Sequence, residues 1–246
     1  METSGSGTGV EFELTGRQGL ALRCTSVGAG PVVVLLHAGG EDRSVWRPVA
    51  RRLARHGFRS IALDQRGHGE TGGAAGTCLD DYAADVSDLL VRLDDRVTLV
   101  GASLGGLASL LAVADPDVRP RVRGLVLVDV QPDPDPVRTR RFLRGIESAL
   151  APGRRTRWEW ALIEDVLSRP HELREAAASL DVPVTLVRGG DSPVFHARDA
   201  ARFRSSVPEA VVRVVPGAGH LVARDRPDDL ATAVLDHLRR EAAAPP

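Results

Sequence analysis

The chain has 246 residues, 43% hydrophobic and 26% charged, an ordinary globular composition and, at roughly 150 residues per domain, a length for one to two domains. A chain of this size buries a full core without staples or metals, which excludes the disordered and low-complexity classes for its body. Its 32 basic and 33 acidic residues nearly cancel, every basic residue is Arg and only 4% are aromatic, which argues against a nucleic-acid surface, an anionic-membrane surface, a base-stacking platform and Schiff-base lysine chemistry.

The opening Met1–Gly9 is small and polar, without the charged and apolar regions of a secretory leader, and no apolar run approaches the ~20 residues of a membrane span. A cytoplasmic protein is expected. Glu11–Leu14 and Gly19–Cys24, joined by Thr15-Gly-Arg-Gln18, read as an antiparallel hairpin at a sheet edge. Cys24 and Cys78 fit no metal or redox spacing and are expected to be free thiols.

From Val32 onward short apolar runs alternate with longer amphipathic stretches. Val32–Leu36 is a continuous β-branched run of the kind a buried parallel strand needs. Ser60–Leu63, Val97–Val100, Leu125–Val128, Val184–Val187 and Val211–Val215 repeat the pattern, each running into a turn. Between them lie helical patterns at Trp46–His56, Leu79–Leu93, Leu104–Ala114, Ala197–Ser206 and Asp228–Arg240. Strands and helices alternating in this way predict βαβ units and a parallel sheet. From Gln131 to Leu180 no strand is predicted. The stiff Gln131-Pro-Asp-Pro-Asp-Pro136 opens helical patterns at Val137–Leu150 and Arg157–Leu167. The expected organisation is one structural domain, with core residues 1–130 and 181–246 interrupted by a small helical insertion at 131–180.

Gly101-Ala-Ser-Leu-Gly105 has the form G-x-S-x-G between a predicted strand and a predicted helix. Such a turn holds its serine in a strained conformation, and the flanking glycines remove side chains that would collide with strand and helix. Ser103 then stands at the carboxyl edge of the sheet, where the helix dipole favours a developing anion. A serine needs a base to take its proton. His220 follows the last strand and a glycine-rich loop, so it reaches the same edge, whereas His37, His56, His68, His171, His196 and His237 read as structural. The base in turn needs an acid. Asp129 and Asp191 both follow strands and both lie between Ser103 and His220, so order alone leaves either available. An oxyanion hole needs two backbone N–H groups: Leu104 offers one, and Gly39, with Ala38 adjacent, the other. No H-x-x-x-H or C-x-x-C metal spacing occurs, no lysine-bearing phosphate loop is present, and neither metal nor cofactor is expected.

Taken together, His37-Ala-Gly-Gly40 with Trp46, Asp64-Gln-Arg-Gly-His-Gly69, Gly101-Ala-Ser-Leu-Gly-Gly106, Val128-Asp129, Arg188-Gly-Gly-Asp191 and Gly217-Ala-Gly-His220 resemble the α/β-hydrolase superfamily, in its single-domain, cofactor-free branch, over residues 10–240. The likeness is to esterase- and perhydrolase-like members of actinobacterial character. It implies an α/β fold with a mostly parallel eight-stranded sheet flanked by helices and a small helical cap. It also implies a serine hydrolase acting on an ester, thioester or related acyl bond of a small, mainly apolar molecule. Natural-product tailoring on the same scaffold (C–C hydrolysis, lactonisation, cyclisation or dehydration, perhydrolysis) is the alternative, and a non-catalytic ligand-binding or receptor-like protein is the alternative of another class. Two departures stand out: His37-Ala38 replaces the usual His-Gly, and Ser192 and Pro193 occupy the place where the acid after the seventh strand usually sits. Asp191 is the first choice for the acid and Asp129 the second. Trp158, Trp160, Phe142 and Leu143 of the insertion are candidates to line the acyl pocket. The expected partner is a small-molecule substrate, with no nucleic acid or membrane, and the expected state a monomer or homodimer.

Overall fold

The computed structural model describes residues 9–16, 19–73, 78–151, 156 and 158–243. Most of the expected start at Met1–Gly9, Arg17 and Gln18 of the hairpin turn and Arg157 of the second insertion helix lie outside the described residues. The strands are β1 (Val10–Thr15), β2 (Ala21–Val27), β3 (Val32–Leu36), β4 (Arg59–Leu63), β5 (Val97–Ala102), β6 (Val122–Val128), β7 (Val184–Gly189) and β8 (Val211–Val215). They form one sheet in the order β1-β2-β4-β3-β5-β6-β7-β8. Pairing is antiparallel for β1 with β2 and β2 with β4, and parallel from β4 through β8. The expected eight-stranded, mostly parallel architecture is thus the architecture of the protein.

Helices α1 (Arg47–Arg55), α2 (Leu79–Val91), α3 (Leu104–Ala114), α4 (Pro136–Ser148), α5 (Trp160–Ser168), α6 (Pro170–Ala178), α7 (Ala197–Ser206), α8 (Val222–Asp225) and α9 (Pro227–Ala243) cover both faces. The period-two geometry of a strand sends alternate residues to opposite faces. In β3 this sends Val32, Val34 and Leu36 into the core shared with α2 and α3, and Val33 and Leu35 into the core shared with α1 and α9. All five are buried, which explains why the run is apolar without alternation.

The predicted helices form within a few residues of their expected limits, and α6 is an addition. Pro170 opens it at its first turn, and Leu173, Ala176 and Ala177, spaced for one helical face, are buried. This alters the picture of the insertion. Leu162 and Val166 of α5 and Leu173, Ala176 and Ala177 of α6 belong to the same core cluster as α2 and α3. Two of the three helices are therefore anchored in the main core, and α4, which has no fully buried residue, is the one that lies over the sheet end.

Polar ties hold the loops at that end. Arg66, after β4, makes a bidentate pair with Asp85 of α2 at 2.6 and 2.7 Å, with both residues buried, the geometry in which such a pair is strongest. Asp64 accepts from the Arg43 backbone and guanidinium, tying the loops after β3 and β4 together. His237 on α9 is buried between Thr185 of β7, at 2.7 Å from Nδ1, and Glu241, at 2.7 Å from Nε2. These contacts tie α9 to β7. Cys24 and Cys78 are both free, and burial pushes the Cys24 thiol up to about 12. Among the described residues no helix is long and apolar enough to cross a membrane, and no group of side chains is arranged to hold a metal ion.

Candidate active site

Ser103 sits between β5 and α3 with φ 46° and ψ −111°. Among the described residues only Ser103 and Asp129 combine a side chain with positive φ. Such backbones cost about 1–3 kcal/mol each and persist where the surroundings over-determine them. The surroundings of Ser103 do so: its N–H donates to the Val128 carbonyl at 3.1 Å, and its carbonyl accepts from Gly106 and Leu107 at 3.0 Å. The turn is closed by the approach of α3 to β3, where a Cβ on Gly105 would stand 2.6 Å from the Leu36 Cβ and carbonyl oxygen.

His220 is carried to Ser103 by the loop after β8, which Asp225 holds by accepting the Gly219 N–H at 2.9 Å. Its Nε2 is 3.0 Å from Ser103 Oγ and its Nδ1 2.8 Å from Asp129 Oδ2. A carboxylate only accepts, so Nδ1 carries the proton and Nε2 is free to take one from the serine. The Phe142 ring from α4 packs edge-on against the imidazole, with centroids 5.0 Å apart.

Asp129, not Asp191, meets the histidine. Asp129 is 2% exposed, and its carboxylate accepts from three donors: His220, the Gly189 N–H at 2.7 Å and the Ser192 hydroxyl. Ser192, standing where an acid after the seventh strand was sought, instead orients the acid after the sixth. Asp191 is exposed. Its N–H goes to the Ala218 carbonyl at 2.9 Å, and among the described residues its carboxylate makes no bond to His220. The preference for Asp191 is therefore reversed. The reason is spatial: β6 lies between β5 and β7 in the sheet, so its carboxyl end faces both the serine turn and the histidine loop.

The loop after β3 sorts the oxyanion candidates by where their N–H groups point. Ala38 donates to Glu41 Oε2 at 3.4 Å and Gly40 to His68 Nε2 at 3.0 Å. Gly39 and Leu104, by contrast, give their N–H groups to no acceptor among the described residues, and they are neighbours: a Cβ on Gly39 would lie 3.7 Å from the Leu104 side chain. Both line the cavity beside Ser103. Ala38 is buried beneath them and is not a lining residue. His37 and His68 brace this loop, His37 through Nδ1–H to the Ala38 carbonyl and His68 through Nδ1–H to the Arg66 carbonyl.

Ser103 opens into a cavity of about 240 Å³. Phe142, Leu143 and Trp158, three of the four candidates for an acyl pocket, line it. Trp160 does not: its indole lies under the Arg144 guanidinium, 5.9 Å from the ring centre, and its N–H faces Glu147 at 3.4 Å. The difference follows from spacing, since Trp158 precedes α5 and packs on Gly40 while Trp160 starts the helix and faces outward. Gly40 has φ 88°, and a Cβ there would stand 2.7 Å from the Trp158 ring. The wall is otherwise apolar apart from a few polar groups that motif reading missed, Gln131, Thr139, Glu41 and Arg224. Such residues belong to no recurring pattern, so only the fold reveals them.

Burial pushes the Glu41 carboxyl above its ordinary value of 4.5, against the opposing pull of the Ala38 N–H and of Arg224. An acid whose folded pKa is raised binds its proton more tightly in the native state. Its contribution to stability is then fully present below the ordinary pKa and is lost as pH rises through the folded one. Glu41→Gln is accordingly expected to raise Tm at pH 7, with the gain vanishing below pH 4.5. Thermal melts of both proteins across pH 4–8 test this, and a gain that persists unchanged at acid pH would contradict it.

A family model described as the alpha/beta hydrolase family matches residues 33–233. The chain belongs to the alpha/beta hydrolase family. Among relatives of this hydrolase, 2-(acetamidomethylene)succinate hydrolase of Mesorhizobium japonicum is 29% identical, with 89% of this chain and 92% of that protein covered. The 2-hydroxy-6-oxo-6-(2'-aminophenyl)hexa-2,4-dienoic acid hydrolase of Metapseudomonas resinovorans is 27% identical, over 91% and 89% of the two chains. Among solved structures, E-2-(acetamidomethylene)succinate hydrolase superposes with a TM-score of 0.79 at 24% identity, over 94% of this chain and all of that one.

Proposed function

We propose that this hydrolase cleaves an ester, thioester or related acyl bond of a small, mainly apolar molecule through an acyl-enzyme on Ser103. The observation that carries the reading is the unbroken chain from Ser103 Oγ through His220 to Asp129, at 3.0 and 2.8 Å, beside two N–H groups with no other acceptor among the described residues. Ser103 Oγ attacks the acyl carbon as His220 Nε2 takes its proton, and the negative charge that forms on the carbonyl oxygen meets the Gly39 and Leu104 N–H groups. His220 returns the proton to the leaving group. A water then repeats the sequence on the acyl-enzyme, giving the acid and free Ser103. Asp129 holds the Nδ1 proton throughout and stabilises the imidazolium. The apolar wall of the cavity favours an apolar acyl group over water.

The test is labelling with a fluorophosphonate probe, read by intact mass, alongside turnover of a panel of short acyl esters and thioesters. One adduct on the native chain, absent in Ser103→Ala and matched by Ser103-dependent turnover, is the expected result. A folded protein that forms no adduct and turns over nothing overturns the reading in favour of a binding protein without catalysis.

A further inference from the structure

A second concavity, of about 370 Å³, adjoins the catalytic cavity, with Pro134 in the wall of both. Four arginines from three helices line it: Arg138 of α4, Arg174 of α6, and Arg198 and Arg202 of α7. Three aspartates stand among them, and each is already committed. Asp199, its side chain 1% exposed, accepts from Arg138 at 2.7 Å and from the His196 N–H at 2.9 Å. Asp135 caps α4 by accepting the Arg138 N–H at 2.8 Å. Asp133, 17% exposed, meets both Arg202, at 3.2 Å, and Arg174, at 3.5 Å, through one oxygen. The guanidinium side chains of Arg174, Arg198 and Arg202 are 43%, 67% and 56% exposed, so solvent and solutes reach them. Among the described residues Arg202 donates one hydrogen bond, to Asp133, and Arg174 and Arg198 donate none.

Like charges gathered in this way repel. Arg198 and Arg202 are four residues apart on one face of α7, where equal charges destabilise a helix. Arg174 approaches Arg202 from α6, because both reach the same Asp133 oxygen. A concave surface concentrates the field of such a cluster and draws in an anion. Guanidinium forks match the geometry of carboxylate and phosphate oxygens. Three forks from two helices exceed what the two oxygens of a carboxylate can accept, whereas a phosphate monoester offers three oxygens and close to two charges. We propose that this cleft binds a phosphate group through Arg174, Arg198 and Arg202. The phosphate arrives either on the carrier portion of the substrate, since Pro134 borders both cavities, or as a free ion. Binding there is independent of the chemistry at Ser103.

The experiment titrates inorganic phosphate into the full chain by calorimetry, at fixed ionic strength and at mildly alkaline pH, where phosphate is the dianion. Saturable binding is expected, weakened about tenfold or more in Arg198→Gln/Arg202→Gln. Arg204→Gln, on an exposed residue of the same helix that does not line the cleft, is expected to bind as the native protein does. Melting curves check folding. Arg198→Gln alone, whose nearest acidic oxygen is 4.0 Å away, keeps the test open if the double variant is unstable, and it too is expected to weaken binding. The proposal is overturned if the native chain shows no saturable phosphate binding, or if Arg204→Gln weakens it as much as the cleft variants do. A kinetic arm identifies the source by comparing acetyl-phosphopantetheine with acetyl-pantetheine, thioesters that differ by one phosphate. A lower KM for the phosphorylated thioester, abolished in the double variant and raised by added phosphate, supports a phosphate carried on the substrate. Equal KM values beside intact phosphate binding support a free ion. If neither thioester turns over, the proposed reaction fails for these substrates, and calorimetry still decides the phosphate site by itself.

Discussion

Asp129→Asn is expected to lower kcat by about 10⁴-fold, the scale on which a triad fails when its histidine is held in the wrong tautomer, with the fold intact. Asp129 Oδ1 accepts the Gly189 N–H, while Oδ2 accepts from both Ser192 and His220. An asparagine has one oxygen for these two places. With the oxygen toward Gly189, its NH2 faces His220 Nδ1, the imidazole must carry its proton on Nε2, and it can no longer take the proton of Ser103. With the oxygen toward His220, two N–H groups oppose each other at Gly189. Asp191→Asn is expected to change kcat by less than about twofold, since that side chain is exposed and surface replacements away from such features have small effects. Steady-state kinetics on the two variants, with circular dichroism to check folding, decide the assignment. A crippled Asp191 variant beside an active Asp129 variant would overturn it.

Gly105→Ala is expected to damage both stability and rate. Alanine is the better helix former by about 1 kcal/mol, and on propensity alone the change would help. The added Cβ, however, would stand 2.6 Å from the Leu36 Cβ and carbonyl oxygen, and no side-chain rotation can relieve contact with a backbone carbonyl. Helix α3 must move away from β3, at an overpacking cost of about 1–3 kcal/mol. At about 2–4 °C per kcal/mol for a chain of this size, Tm falls by several degrees once the propensity gain is overcome. The rate suffers more. Ser103 and the Leu104 N–H ride on the start of the same helix, and a misplacement of about 1 Å can cost on the order of 10² in rate. Melting curves and kcat/KM measured together test this, and a variant with wild-type rate would mean that the packing of α3 does not set the position of Ser103.

Much of this protein can be read from residue order. The strands announce themselves because a strand buried on both faces must be apolar throughout, as Val32–Leu36 is. The serine turn is legible because its geometry tolerates so few sequences: Gly101 and Gly105 flank Ser103 at the one spacing that lets a helix close on a strand. His220 is legible because a loop after the last parallel strand can only emerge at the same edge. Helix α6 was harder to see, since Pro170 and a run of small residues make a weak helical pattern that becomes a helix by packing on the core.

Which aspartate meets His220, which N–H groups beside Ser103 are left open and which side chains line the cavity were decided by tertiary structure. Asp129 and Asp191 satisfy the same chain order, and what separates them is that β6 lies between β5 and β7, so that Gly189 and Ser192 converge on Asp129. Gly39 is singled out because its neighbours Ala38 and Gly40 spend their N–H groups on Glu41 and His68, contacts that depend on how the loop folds back. Trp158 and Trp160 are two residues apart and face a cavity and an exposed arginine, respectively. Local sequence determines which backbone shapes are affordable. Which side chains meet across the ends of separate strands depends on strand order and loop packing, and neither is written in any short stretch of the chain.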